Sequence, residues 1–372
     1  MANNSTASSL NGSSSTLTTF QPLEQEEWKE VFNMFIVIAE IIITLTALVS
    51  NCLVVYAFTA YKKLRASVTN YFVISLAISD ILTSGLVTTL KLDSTLKGGF
   101  WTHGSFMCSL YTTMYLLAVP SSVINLCAVT VDRYLVLRMP LRYNSLMPPR
   151  RAVFIISCLW IYALAWACLP VMGWKSSNLP VVANGYCYFI STRKYNITVN
   201  IINFLLPMIF MAISWLFIYS IVQQHRKRVL KIERSLSLNT NDSSNSSNQT
   251  NMNGEALHQM NHLAQKNNKT DRKTMRRNVR GSRYIGFIVV LFYFCWLPYV
   301  TLSMIGNLCK SCKIPYIMYD AFLALGFLNS ALNPFLYPFH DKHFKEAFRN
   351  MWKKMRSKTF VKLMQWRKMD AV

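Results

Sequence analysis

Asp80, Ser122, Asn329, Ser330 and Asn333 stand in stretches of sequence that are otherwise almost wholly apolar, and Asn51 adds another amide. Polar groups in an apolar bundle are costly and mark function. Facing one another, they would form a cluster in which the lone carboxylate takes up a proton or holds a small cation. A sodium ion on Asp80, Ser122, Asn329 and Asn333 is one reading. A hydrogen-bonded network without an ion is the other, and the residue types leave both open. A second group, Asp132-Arg133-Tyr134, closes an apolar run just before a basic loop. Two adjacent charges there need a partner or a task. A third, Asn333-Pro334-Phe335-Leu336-Tyr337, lies in the last apolar run. No nucleophile–base pair or metal-ligand set points to an enzyme.

The elements that must position these groups are seven apolar runs, at 32–58, 71–92, 106–137, 152–173, 197–222, 284–305 and 314–339. Each is long enough to cross a bilayer as a helix, which takes about 20 residues. The predicted fold is therefore all-α, a seven-transmembrane helix bundle. One domain occupies 32–339, between an N-terminal segment 1–31 and a cytoplasmic tail 340–372. A soluble helical protein is excluded, because its helices need a polar face. The chain is only 15% charged, against about 25% in soluble proteins.

The net charge of +23 is unevenly placed. Lys62, Lys63 and Arg65 follow the first run, and Arg138, Arg142, Arg150 and Arg151 lie between the third and fourth. A long basic loop separates the fifth from the sixth, and Lys353, Lys354, Arg356 and Lys358 lie in the tail. The other connections carry few basic residues. Basic loops stay cytoplasmic, so the N-terminus is expected outside, in a multi-pass plasma-membrane topology. The charge then faces anionic inner-leaflet lipid. No stacking or base-reading pattern accompanies it, which argues against nucleic acid as a partner. The Ser/Thr/Asn-rich N-terminus lacks an apolar signal-peptide core. It holds glycosylation sequons at Asn3, Asn4 and Asn11.

Cys52, Cys127, Cys158, Cys168 and Cys295 lie within the runs and read as packing residues. The other four fall on the predicted outer side, where disulfides persist. A bridge from Cys108 to Cys187 would pin a loop across the mouth of the bundle. Cys309 and Cys312 form a C-x-x-C whose readings are a local bridge or a metal or redox site. Loop 223–283 has basic ends, expected to extend the flanking helices. Its Ser/Asn-rich centre at 235–253 has the composition of a disordered segment.

Asn51, Leu76-Ala77-x-x-Asp80, Asp132-Arg133-Tyr134, Trp160, Pro207, Cys295-Trp296-Leu297-Pro298 and Asn333-Pro334-x-x-Tyr337 occur in order, one set per run. With the Cys108/Cys187 pair, this set resembles the rhodopsin-like G-protein-coupled receptors. The resemblance covers roughly 32–355. It implies a short amphipathic eighth helix at about 341–355, with Phe344, Phe348, Met351 and Met355 on one face. It also implies an extracellular ligand, and a heterotrimeric G protein and arrestin as cytoplasmic partners. Arg133 would pair with Asp132 at rest and meet the G protein once the sixth helix swings out. Pro298 would kink the sixth helix, Trp296 would feel ligand packing, Phe292 would repack against Pro207 and Val123, and Tyr337 would turn inward. Two positions depart from the pattern. Position 278, where relatives carry an acid that holds Arg133, is Asn. Position 215, where they carry Tyr, is Trp, which offers only an N–H donor.

Leu325-Gly326-Phe327-Leu328-Asn329-Ser330-Ala331-Leu332 is similar to biogenic-amine receptors. The carboxylate expected for the ammonium is nonetheless Tyr115, and its supporting hydroxyl is Phe327, which also excludes a retinal-linking lysine. A scattered likeness to nucleoside receptors rests on Pro140-Leu141-Arg142-Tyr143-Asn144, Gly173-Trp174 and Phe189. The expected pocket is Tyr115, Leu116, Val119, Phe189, Val199, Asn200, Asn203, Trp296, Tyr299, Ser303, Leu323 and Phe327, aromatic with a few amides and hydroxyls. Lys91 anchors an anionic ligand group or Glu40 or Asp320 takes a cation, or else the three pair with one another or snorkel to the outer interface. A transporter would show paired repeats and broken helices, and would leave Asp132-Arg133-Tyr134 without a role. A receptor that signals without ligand is the remaining alternative.

Overall fold

A computed structural model describes residues 23–140, 142–175, 180–188, 191–242, 286–309 and 311–369. The sequons at Asn3, Asn4 and Asn11, the centre of loop 223–283 beyond 242, Asn278 and Phe189 lie outside the described residues. Among the described residues are eight long helices: α1 (Leu23–Ala60), α2 (Thr69–Leu96), α3 (Gly104–Arg138), α4 (Pro149–Cys168), α5 (Arg193–Gln224), α6 (Gly286–Leu308), α7 (Tyr316–His340) and α8 (Lys342–Met369). Single helical turns at Lys62–Arg65 and Tyr143–Leu146 lie in the connections.

Six of these helices are long and apolar enough to cross a membrane. Their outward faces carry Phe35, Ile42, Leu45, Phe154, Ile161, Phe217, Val290 and Phe294, all exposed in the isolated chain. So large an apolar belt suits lipid rather than water. The seventh, α7, is diluted by Asn329, Ser330, Asn333, Pro334 and Pro338. It packs along α1, where Asn51 donates from α1 to the Ser330 carbonyl at 3.0 Å. The carbonyls of α7 next to its prolines need such outside donors, because Pro334 and Pro338 supply no N–H.

Two π-helical segments set which residues face inward. In α2, Thr83–Thr88 is π-helical. Thr83, Ser84 and Thr88 each return a hydroxyl bond to the carbonyl four residues back, a habit that bends helices. The wider turns re-aim everything above them and bring Lys91 to face α1 and α7. In α5, Ile201–Leu205 is π-helical. Pro207 follows, and its ring would collide with the carbonyl of Asn203 in a regular helix.

The loop ahead of α5 forms a hairpin, β1 (Val182–Ala183) paired antiparallel with β2 (Tyr186–Cys187). Its turn residues, Asn184 and Gly185, have φ of 51° and 79°, as a tight hairpin turn requires. A Cβ on Gly185 would lie 2.9 Å from Phe100, so the position demands glycine on both counts. Cys187 is bonded to Cys108 at the start of α3, which fastens the hairpin over the bundle mouth. Cys309 and Cys312 are also bridged, so of the two readings of C-x-x-C the local bridge is the one present.

Two helices outrun their sequence-based limits. From α5 the helix continues to Asp242, into the tract from 235 expected to be disordered. In α8 it continues to Met369 rather than ending near 355. Extending a formed helix adds a hydrogen bond for each residue fixed, whereas starting one does not. Phe344, Ala347 and Met351 form the buried face of α8, packed with Val54, Ala57 and Leu64.

Candidate functional site

The outer half of the bundle gathers the predicted pocket residues. Leu116 and Val119 of α3, Val199 of α5, Trp296 of α6 and Phe327 of α7 are buried in one cluster, with Tyr115, Tyr299 and Leu323 packed against it. Tyr115 donates its phenol to the Tyr299 oxygen at 3.1 Å, linking α3 to α6. Asn200 donates to Ser303 at 3.0 Å, linking α5 to α6. Trp296 meets Tyr299 and Phe327 edge-on, with ring centroids 6.1 and 6.4 Å apart. Asn203 is fully buried, and neither its amide nitrogen nor its oxygen has a hydrogen-bond partner among the described residues. A buried amide left this way costs about 1–3 kcal/mol. Of the predicted set, only Phe189 is not placed.

Sequence reasoning missed Phe204 and Tyr111. Phe204 packs against Trp296 with centroids 5.6 Å apart. It is buried although it directly follows buried Asn203, which the π-helical geometry of α5 permits and an ideal helical wheel does not suggest. Tyr111 lies one turn above Tyr115 and joins the same cluster. That four-residue spacing was a usable signal.

Below the pocket lies the polar cluster. Asp80 is fully buried. Its Oδ1 accepts from Ser122 at 3.3 Å and Ser330 at 2.7 Å, and its Oδ2 from Asn333 at 2.9 Å. Ser330, outside the predicted ion set, is thus a direct partner. Among the described residues Asn329 makes no hydrogen bond to Asp80, and both its buried amide atoms lack a hydrogen-bond partner. Two carboxylate oxygens, two hydroxyls and an unpartnered amide oxygen fit the oxygen preference of a small hard cation. Asn333 points a nitrogen at Asp80, so in this arrangement it positions the carboxylate rather than ligating.

The opposite end of the bundle from the hairpin is built around Asp132, which is fully buried. Thr69 of α2 donates to its Oδ2 at 2.6 Å, and Tyr143 of the following loop donates to its Oδ1 at 2.5 Å. Arg133 Nε lies 3.7 Å from Oδ2. Burial, and then the Asp132 carboxylate, push the Tyr143 phenol above its ordinary range. The hydroxyl therefore keeps its proton and donates across physiological pH. Tyr134 packs against Leu137, Ile218 and Val222. Phe292 is fully buried beside Val123 in the main cluster. Pro298 lies one turn beyond Phe294 in α6, where it removes a backbone donor. Tyr337 stacks on Phe344 of α8, centroids 5.6 Å apart.

Trp215 leans across the start of α6. A Cβ on Gly286 would fall onto its indole nitrogen, so tryptophan at 215 goes with glycine at 286. Gly286→Ala is expected to cost about 1–3 kcal/mol from overpacking. Thermal unfolding in nanodiscs should show this as a lowered Tm, recovered in Gly286→Ala/Trp215→Ala. A double variant no better than the single one would remove the steric explanation.

Comparison with known proteins agrees with this geometry. The family described as "7 transmembrane receptor (rhodopsin family)" matches residues 50–337. The D(1)-like dopamine receptor of Takifugu rubripes is 31% identical over 321 residues, covering 82% of this chain and 66% of that protein. The octopamine receptor beta-2R of Drosophila melanogaster is 28% identical, covering 87% and 62%. The 5-hydroxytryptamine receptor 4 of Rattus norvegicus is 28% identical, covering 82% and 73%. The chain thus spans roughly two thirds of the length of these relatives. With more than half its residues inside the family match and the family's helices and polar groups in place, the chain belongs to the rhodopsin family of seven-transmembrane receptors.

Proposed function

We propose that the chain is a plasma-membrane receptor, N-terminus outside, that transmits binding of an extracellular small molecule to a heterotrimeric G protein. The observation that carries this is Asp132, buried without exposure and gripped by Thr69 and Tyr143 beside Arg133. A ligand can shift only an equilibrium between two states, and a charge pair that can be held or released supplies two. The aromatic pocket around Trp296, with its unpartnered Asn203, supports a small ligand bearing a polar group. Amines are plausible on the relatives' names, which include dopamine, octopamine and 5-hydroxytryptamine receptors. A sodium ion held by Asp80, Ser122, Ser330 and Asn329 would supply positive charge to the buried carboxylate. Arrestin and anionic lipid are the further partners proposed for the basic cytoplasmic face.

The test is a panel of G-protein biosensors in cells, comparing the native chain with Arg133→Ala. At least one pathway should show a signal, basal or ligand-driven, that Arg133→Ala removes. Signals identical to receptor-free cells throughout, with the receptor at the surface, would defeat the proposal.

A further inference from the structure

Three ionisable side chains from three helices meet above the pocket. Lys91 Nζ of α2 lies 2.5 Å from Glu40 Oε1 of α1 and 3.2 Å from Asp320 Oδ1 of α7. Lys91 and Glu40 are 8% and 4% exposed, and Asp320 is 17% exposed. The sequence alternatives for these residues were a charged ligand or mutual pairing. The pairing is present, yet it does not balance. Among the described residues one ammonium faces two carboxyl groups, so one carboxyl group has no cation of its own. Uncompensated buried charge costs several kcal/mol. The second oxygen of Glu40 is buried and has no hydrogen-bond partner among the described residues.

The surroundings select what would balance it. The phenols of Tyr111, Tyr299 and Tyr316 are close enough to Asp320 to feel its charge. Tyr111 and Tyr299 also belong to the cluster around Trp296, so the triad borders the pocket. Aromatic faces attract cations. An anion would compete with two carboxylates for Lys91, and a divalent ion would have to displace the lysine. A single positive charge on an organic group fits both the count and the lining.

We propose that Asp320, positioned by Lys91 and Glu40, is the ionic anchor for a ligand's ammonium group, in place of a carboxylate at Tyr115. The proposal rests on the receptor reading above and adds the ligand's charge class and the helix that holds it. The ligand would lie with its cationic end between α3 and α7 and its polar end toward Asn203.

The experiment uses the full chain in nanodiscs. Thermal shifts are measured with phenethylamine, dopamine, octopamine and 5-hydroxytryptamine at up to millimolar concentration, and with 2-phenylethanol as the uncharged control. At least one amine should raise the Tm while the alcohol does not. Asp320→Asn should weaken that amine at least about tenfold. Asp320→Ser is the second variant, with Tm in the absence of probe reporting folding. No shift with any amine, an equal shift with the alcohol, or an unchanged affinity in the folded variants would overturn the anchor. The same preparations are assayed for Arg133-dependent G-protein activation. A preparation that activates G protein but ignores amines loses only the anchor; one that never activates loses the receptor reading.

Discussion

Asp132→Asn is expected to raise ligand-independent signalling about tenfold, the change produced when about 1.4 kcal/mol shifts a resting-to-active equilibrium. Asparagine keeps the shape and can accept from one of Thr69 and Tyr143 while its NH2 donates to the other hydroxyl, but it takes away the charge that faces Arg133 at 3.7 Å. Both groups are largely shielded from water, so the pair is not discounted as a surface pair would be. Tyr143→Phe should act in the same direction with a smaller effect, since it removes one hydrogen bond worth about 1 kcal/mol. The measurement is basal biosensor signal at matched surface expression. Basal signal that stays level in Asp132→Asn would mean that the carboxylate does not restrain Arg133.

Lys91→Met carries the largest expected stability effect. It leaves Glu40 and Asp320 inside the bundle without their shared cation. Removing one partner of a buried ion pair costs about 3–5 kcal/mol, because the remaining charge is stranded. Replacing all members together is far milder. The triple variant Lys91→Met/Glu40→Gln/Asp320→Asn should therefore recover much of the Tm that Lys91→Met loses, in the same nanodisc assay. A Tm near native for Lys91→Met alone would mean that the three helices are not tied at this point.

The parts of the molecule legible in the sequence were those with a long-range pattern. Six bilayer-length helices announce themselves by continuous apolar character. For α7 the apolar run at 314–339 is diluted by Asn329, Ser330 and Asn333, and the Asn333-Pro334-x-x-Tyr337 motif marks it as well. The residues named for the pocket in α3 and α6 came from the resemblance and their aromatic and polar types, and they lie together around Trp296. What escaped was set by tertiary contact. Nothing local to Tyr143 says that its hydroxyl will reach Asp132, eleven residues away around a turn. The π-helical segments at Thr83–Thr88 and Ile201–Leu205 shift the register by part of a turn. They hide Phe204 from a helical wheel, and they decide that Lys91 meets Glu40 and Asp320 rather than reaching for the interface. The pairing of Trp215 with Gly286 is likewise invisible until α5 and α6 are set side by side.

The central claim is that this chain drives a G protein through Arg133, restrained by Asp132. It is tested most directly by nucleotide exchange on purified heterotrimers with the native receptor, Asp132→Asn and Arg133→Ala, each in nanodiscs. The account predicts a strict order for at least one heterotrimer: Asp132→Asn fastest, the native receptor intermediate, and Arg133→Ala no faster than empty nanodiscs. Equal exchange rates for all three folded proteins, across the G-protein classes, would contradict it.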